Sequence, residues 1–344
     1  MIKQIFLGFL VALAGALVAV AIGTPIPWLL GSLILTAAFK INAAKISCHV
    51  GFRKAGQWII GIALGLQFTP ETVQLIKHLL PYVIAGCVFA LAIGWVGTGI
   101  LYKLGKVDFT TAYFSSTVGA ASEMVVLAER NGATNIALVA SSHSLRVLLI
   151  VVLIPFTYQF LGLKGDISTQ LQVAEYSYLG LLKLAVLTGI GCFILDRLNV
   201  PNAMMLGGIV VTALLTANGI VFTHLRPEIQ QLGQLLIGWA LGSSYRPGFF
   251  KQAPRFFGAV TVMTLVYLSL AFVFCAIVAK MSGIYLATAV LAMSPGGIAE
   301  MAITAKVLML GAPIVTSFQV SRLVFILLTV GPGYTFLNKY LMKK

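Results

Sequence analysis

MSPGGIAEM, residues 293–301, interrupts an apolar run that otherwise reads as membrane-spanning. Between Gly283 and Leu310 the only charged residues are Glu300 and Lys306, and a Ser-Pro-Gly-Gly sequence stands just before the carboxylate. Both features are costly in hydrocarbon. Unwound backbone at membrane depth is tolerated only where it is buried in protein or lines a cavity. A charge at the bilayer centre costs about 2.5–3.5 kcal/mol on insertion scales. The earlier stretch TVGAASEM, residues 117–124, puts Glu123 in the same setting. A fold for this chain has to accommodate so costly a pattern twice.

The surrounding composition sets the class. Of 344 residues, 59% are hydrophobic and 9% charged, with a mean hydropathy of +1.00. Soluble domains carry about 25% charged residues, and several apolar runs here reach the ~20 residues that a crossing requires. The reading is an all-α polytopic membrane protein with about 10–12 transmembrane helices. The formal charge of +14 is spread over small groups: Lys40, Lys45, Arg53 and Lys54; Arg246, Lys251 and Arg255; and Lys339, Lys343 and Lys344. Such groups suit juxtamembrane loops, and no polar stretch is long enough for a folded nucleic-acid-binding domain. Direct nucleic-acid binding is therefore not expected.

Catalytic and metal chemistry find little support. Cys48, Cys87, Cys192 and Cys275 show no CxxC spacing, and His49, His78, His143 and His224 are dispersed without HExxH. No GxxxxGK[ST] loop occurs. The expectation is no enzyme, no metal and no cofactor.

The chain reads as one pattern written twice, at an offset of about 176 residues. Leu30-Gly31 and Thr36-Ala37 fall on Leu206-Gly207 and Thr212-Ala213, after Pro25 and Pro201. AGQWIIGIALGLQFTP (55–70) falls on LGQLLIGWALGSSYRP (232–247), and GAASEM (119–124) on GGIAEM (296–301). SSHSLRVLLIVVLIP (141–155) falls near SFQVSRLVFILLTVG (317–331), with Arg146 matching Arg322. This gives a first repeat over 1–160, a polar linker over 161–176 with Lys164, Asp166 and Glu175, and a second repeat over 177–344. The first half predicts helices at about 4–22, 26–39, 55–68, 79–103, an interrupted 109–129, and 134–160. The second predicts about 177–196, 201–217, 232–244, 256–280, an interrupted 284–309, and 313–337. Because the first segment has a counterpart at 177–196, it reads as a retained helix rather than a cleaved signal peptide. If the short glycine-rich segments cross, each half has six spans and the repeats are parallel. If they re-enter, each half has five and the repeats are inverted.

Of nine carboxylates, only Glu123 and Glu300 lie well inside apolar segments, and they are repeat-equivalent. Thr117 and Ser294, the latter followed by Pro295, read as N-caps of a new half-helix. Gly119, Gly296 and Gly297 leave backbone approachable after each cap. Two readings of the carboxylates stand side by side. Either they bind a solute or coupling ion at a discontinuous helix near the bilayer midplane, or each pairs with Arg146 or Arg322 and locks the bundle. Lys306 occupies the repeat position of Glu129, which would allow a cross-repeat ion pair. Gln57 and Gln234 suit either substrate binding or helix-to-helix ties, and the tie is favoured. His143, matched by Gln319, reads as a satisfied bundle histidine. GIALG and GWALG suit close packing through small residues.

The doubled set PWLLGS, GQWIIGIALG, GAASEM and SHSLRV, with its second copy ending in SPGGIAEM, resembles the bacterial AbrB-type membrane family with its internal duplication, over about residues 4–337. The resemblance implies a multi-pass protein of the bacterial inner membrane. Members are commonly labelled as regulators of gene expression or as ammonia monooxygenase. The second label implies a redox metal site, for which this sequence has no clustered ligands. No catalytic residues carry over, so the roles of Glu123, Glu300, Arg146 and Arg322 rest on the physical argument. The function expected is secondary transport of a small solute. The alternative is a membrane-embedded regulator that acts through a partner or through the solute it moves. The expected partners are the lipid bilayer and a small solute or coupling ion, and a homo-oligomer is compatible with the sequence.

Overall fold

In the computed structural model, which describes residues 2–165 and 176–341, the chain is helical throughout, with no β-strand among the described residues. The helices are α1 (Ile2–Ala21), α2 (Pro27–Ile41), α3 (Val50–Gly65), α4 (Pro70–Ile100, ending in a π-helical turn, Leu101–Gly105), α5 (Phe109–Ser116), α6 (Ala121–Arg130) and α7 (Ile136–Phe160). They continue as α8 (Tyr178–Arg197), α9 (Ala203–Ala217), α10 (Pro227–Ser243), α11 (Phe249–Gln252), α12 (Pro254–Ser282), α13 (Leu286–Met293), α14 (Ile298–Val307) and α15 (Ala312–Leu341). Six of them, at Ile2–Ala21, Pro70–Gly105, Ile136–Phe160, Tyr178–Arg197, Pro254–Ser282 and Ala312–Leu337, are long and apolar enough to cross a membrane. The chain is an all-α polytopic membrane protein.

Local chemistry sets several boundaries that periodicity alone leaves short. The His49 imidazole accepts a hydrogen bond from the Gly51 amide at 3.1 Å, so α3 begins at Val50. Pro227 opens α10 in the first turn, where its missing N–H costs nothing. The two glycine-rich helices are consequently 16 and 17 residues long. Of the polar linker, Asp166 and Glu175 lie outside the described residues, while the Gly165 amide donates to the Leu308 carbonyl at 3.0 Å.

The helices form two compact units, each drawing on both halves of the sequence. The first comprises Met1–Lys77, Val152–Phe249 and Ala299–Ile314, and the second His78–Val151, Phe250–Ile298 and Val315–Lys344. In the first unit α1 packs on α2, α2 on α10, α10 on α3, α3 on α9, and α9 on α8. Small residues make these approaches close. A Cβ on Gly31 would lie 2.2 Å from the Gly15 carbonyl oxygen. On α10 a Cβ at Gly238 would lie 2.0 Å from the Ser32 hydroxyl, and on α3 one at Gly61 would lie 2.5 Å from the Met205 carbonyl. Without a hydrophobic force between helices in lipid, such contact through glycine is what holds neighbours together. Trp239 fills the remaining space, fully buried among Ala12, Ala16, Leu235 and Leu236. The second unit centres on Phe114, Tyr113, Met124, Ile326 and Tyr334.

Gly31→Val should therefore force α1 and α2 apart. The expected loss is about 1–3 kcal/mol, the usual cost of overpacking, read as a lowered unfolding midpoint in detergent, whereas Gly189→Ala on α8, with open space around it, should lose less.

Candidate functional site

Both apolar segments that carry a buried-helix carboxylate are broken, and they break alike. The first segments, α5 and α13, are eight residues each; the second, α6 and α14, are ten each. Thr117 leaves α5 with φ −57° and ψ 137°, and Ser294 leaves α13 with φ −58° and ψ 137°. Each residue closes the helix behind it. The Thr117 hydroxyl donates to the Tyr113 carbonyl at 2.8 Å, and the Ser294 hydroxyl to the Val290 carbonyl at 2.5 Å. Thr117 and Ser294 are thus C-caps of the preceding segments, not the N-caps read from sequence. The residue before a proline is pushed out of the α region, which ends α13 at Ser294, and a hydroxyl there reaches a carbonyl four residues back. The new helices start at Ala121 and Ile298, and the Ala120 cap has no hydrogen-bonding side chain to offer.

The carbonyls exposed by each break are satisfied by an arginine. Arg146 donates from Nη1 to the Ser116 carbonyl at 3.3 Å and the Thr117 carbonyl at 3.0 Å. Arg322 donates from Nη1 to Ser294 at 2.7 Å and Met293 at 3.5 Å, and from Nη2 to Gly296 at 3.2 Å. A cation also suits the negative end of a helix dipole. One turn before each arginine a second side chain completes the clamp. His143 Nε2 is 2.9 Å from the Phe114 carbonyl, so that nitrogen carries the proton, and Nδ1 accepts from Arg146 Nη2 at 2.9 Å. Gln319 donates to the Leu291 carbonyl at 2.9 Å and the Ser294 carbonyl at 3.1 Å, and its oxygen accepts from Arg322 at 2.5 Å. Both arginines are buried, at 2% and 6% exposure, and the two guanidiniums act on one another through space.

The carboxylates lie elsewhere in this arrangement. Glu123 is the third residue of α6 and half-buried; Glu300 is the third residue of α14 and 6% exposed. Among the described residues neither carboxylate forms an ion pair, and the Glu300 carboxylate is bonded by its own backbone amide; the ion pair found there joins Lys54 to Asp196 at 3.1 Å, on half-exposed side chains. Arg53 of α3 acts on Glu300 through space. The arginines proposed as their partners are spent on backbone. Gly119 is a packing position, since a Cβ there would come 3.0 Å from Ile326 and from Met124. The Gly296 amide donates to the Ser294 carbonyl at 2.8 Å, and Gly297 is half-buried beside it.

Sequence reasoning missed two contributors outright. The Tyr267 hydroxyl donates to the Ser116 carbonyl at 2.8 Å, and Thr98 shares a 2.9 Å hydrogen bond with Ser116. The clamping role of His143 and Gln319 was also missed, although a hydrogen-bonding residue three positions before each arginine is visible in both halves. Gln57 is a tie, donating to Asn202 at 3.2 Å, whereas Gln234 has no hydrogen-bond partner among the described residues. Lys306 donates to the Ala63 carbonyl at 3.2 Å rather than to a carboxylate.

The α5 segment is fixed at its other end by Asp108, in the turn outside the long helices. Its carboxylate accepts from the Thr111 amide at 2.9 Å, from the Thr111 hydroxyl at 2.6 Å and from the Thr134 hydroxyl. Burial raises this carboxyl, but the Thr111 and Thr134 hydrogen bonds outweigh it and hold it below its ordinary value. A depressed folded-state value means the stabilisation is present above the unfolded value of about 3.9 and is lost as pH falls through the folded one.

An all-α membrane protein with two arginine-clamped interrupted helices is the class that these features define. The chain belongs to the AbrB family: that family's model, described as transition state regulatory protein AbrB, matches residues 28–338. It is 26% identical to "Uncharacterized protein YhjN" of Bacillus subtilis (strain 168), covering 95% of this chain and 91% of that protein. It is 25% identical to "Putative regulator AbrB" of Escherichia coli (strain K12), covering 94% of this chain and 93% of the relative. No solved structure matches it.

Two predictions follow the geometry. Arg322→Leu leaves the Gly296 carbonyl and the buried Gln319 side-chain oxygen unpaired, and at about 1–3 kcal/mol for each it should lower the unfolding midpoint sharply; Arg322→Lys should recover part of the loss. Asp108→Ala should cost about 1 kcal/mol at neutral pH, as for other lost N-caps, with the gap from the parent closing only in acid.

Proposed function

We propose that the protein is a secondary transporter of a small solute, not an enzyme, built from two repeats and working in a bacterial inner membrane. The observation that carries this reading is Glu300: a carboxylate 6% exposed in an apolar half-helix, with no ion-pairing partner among the described residues and only its own backbone amide as a hydrogen-bond donor. A purely structural charge in such a place would be paired. An unpaired one is held ready for a proton, a cation or a polar solute. The clamps suit the same purpose. They satisfy the carbonyl end of each break in advance, which leaves the following carboxylate and the first amides of α6 and α14 free of backbone duty. Each guanidinium also keeps a buried Nε without a partner.

Duplication is supported by the 176-residue offset of the sequence landmarks, by the matching backbone angles at Thr117 and Ser294, and by the paired clamps. A regulatory role has its support in the names of the family and of the Escherichia coli relative.

Thermal unfolding of the purified protein in detergent tests the reading. Glu300→Gln should leave the midpoint unchanged or raise it, because a buried amide is less costly than a buried unpaired charge. A loss above about 2 kcal/mol, the scale of a broken buried interaction, would make the carboxylate structural. Screened against small metabolites across pH, the parent should be stabilised by a solute that has no effect on a folded Glu123→Gln/Glu300→Gln variant. A panel that moves neither protein would remove the ground for transport.

A further inference from the structure

The first compact unit contains a cavity that the interrupted helices do not explain. It measures about 180 Å³ and is lined by three helices, each contributing residues three and four apart: Ile60, Ala63 and Leu64 of α3, Gln230 and Gln234 of α10, and Ile303, Lys306 and Val307 of α14. That spacing puts each set on one helix face. We infer that this cavity is a binding site for a small aliphatic monocarboxylate, held by Lys306 and Gln234.

The polar groups define the ligand's head. The Lys306 ammonium has three donors, and the hydrogen bond found for it is the 3.2 Å one to Ala63, near the C-terminal end of α3. Capping that helix end explains one donor and leaves two. Gln234 is half-buried, and its amide has no partner among the described residues. Its repeat counterpart Gln57 is engaged with Asn202, so the free amide belongs to this position and not to the motif. An ammonium and an amide N–H₂ facing one cavity match the two oxygens of a carboxylate. Gln230 is tied back to the chain, one of its two amide N–H donors being bound to the Leu225 carbonyl at 2.8 Å. The other lining side chains are aliphatic. A tetrahedral phosphate would press unpaired oxygens against them, whereas a short hydrocarbon tail would be buried favourably. The volume is about six times the ~30 Å³ share of one water, which admits an acid of about four carbons.

Butyrate is the probe, with butyramide, butylamine and inorganic phosphate as contrasts, and binding to the purified full chain in detergent is followed by calorimetry. Butyrate should bind and the three contrasts should not. Lys306→Gln should weaken butyrate by about tenfold or more, as loss of a charged hydrogen bond does, and Gln234→Leu should weaken it less. If Lys306→Gln does not fold, the Gln234→Leu result stands alone, and acetylation of Lys306 in the parent should be slowed by butyrate. No butyrate binding, equal binding of butyramide, tighter binding of phosphate, or unchanged affinity in the variants would overturn the assignment. The measurement needs no flux across a membrane, so its outcome is separate from that of the transport reading.

Discussion

Backbone that stops being helical inside an apolar protein must still spend its carbonyls, and in this chain two arginines take them. Everything distinctive about the second compact unit follows from that. Without Arg146 on Ser116 and Thr117, and Arg322 on Ser294 and Gly296, each break would carry bare acceptors in a medium that offers no water. The arginine fork suits the task because one planar group reaches two or three carbonyls at fixed angles, which a lysine cannot do. His143 and Gln319 then hold the forks in position from one turn away. The first segment of each broken helix is therefore fastened at its end by charge-assisted hydrogen bonds.

The first unit solves a different problem by different means. Its helices are short and rich in glycine, and they are joined by backbone approach at Gly15, Gly31, Gly61 and Gly238. Close contact of this kind fixes neighbours without charge. It also leaves room where three helix faces diverge, as around Lys306 and Gln234. The two units thus separate two functions of polar groups in apolar surroundings. In one, arginines are consumed in holding backbone; in the other, a lysine and an amide retain unspent donors.

Much of this was legible in the sequence. Composition and apolar run length gave the membrane class, and the costly Ser-Pro-Gly-Gly before Glu300 located the second break to within a residue. The repeat carried that location to Thr117, where no proline marks it. What could not be read was the direction of the caps. A Ser or Thr at a helix junction can serve the segment before it or the one after, and the choice depends on side chains about 30 residues away in sequence, such as Arg146 and Arg322. Pairing the carboxylates with the arginines failed for a related reason. Opposite charges in neighbouring helices suggest an ion pair, but freed backbone carbonyls compete for the same donors and are covalently held in place. Tyr267 had no sequence signal at all, being an aromatic residue in an apolar helix like many others.

The make-up of the first unit also bears on how the chain is assembled. Besides α1, α2 packs on α10, about 200 residues later, and α9 pairs back with α3. A chain emerging N-terminus first therefore presents the glycine face of α3, and the face of α2 that meets α10, to lipid or to whatever holds them through the synthesis of the entire first half. Neither unit can close until the last quarter of the chain is made, because each includes residues beyond 298. Insertion and tertiary closure are in this way separate events, and the interval between them is built into the order of the helices.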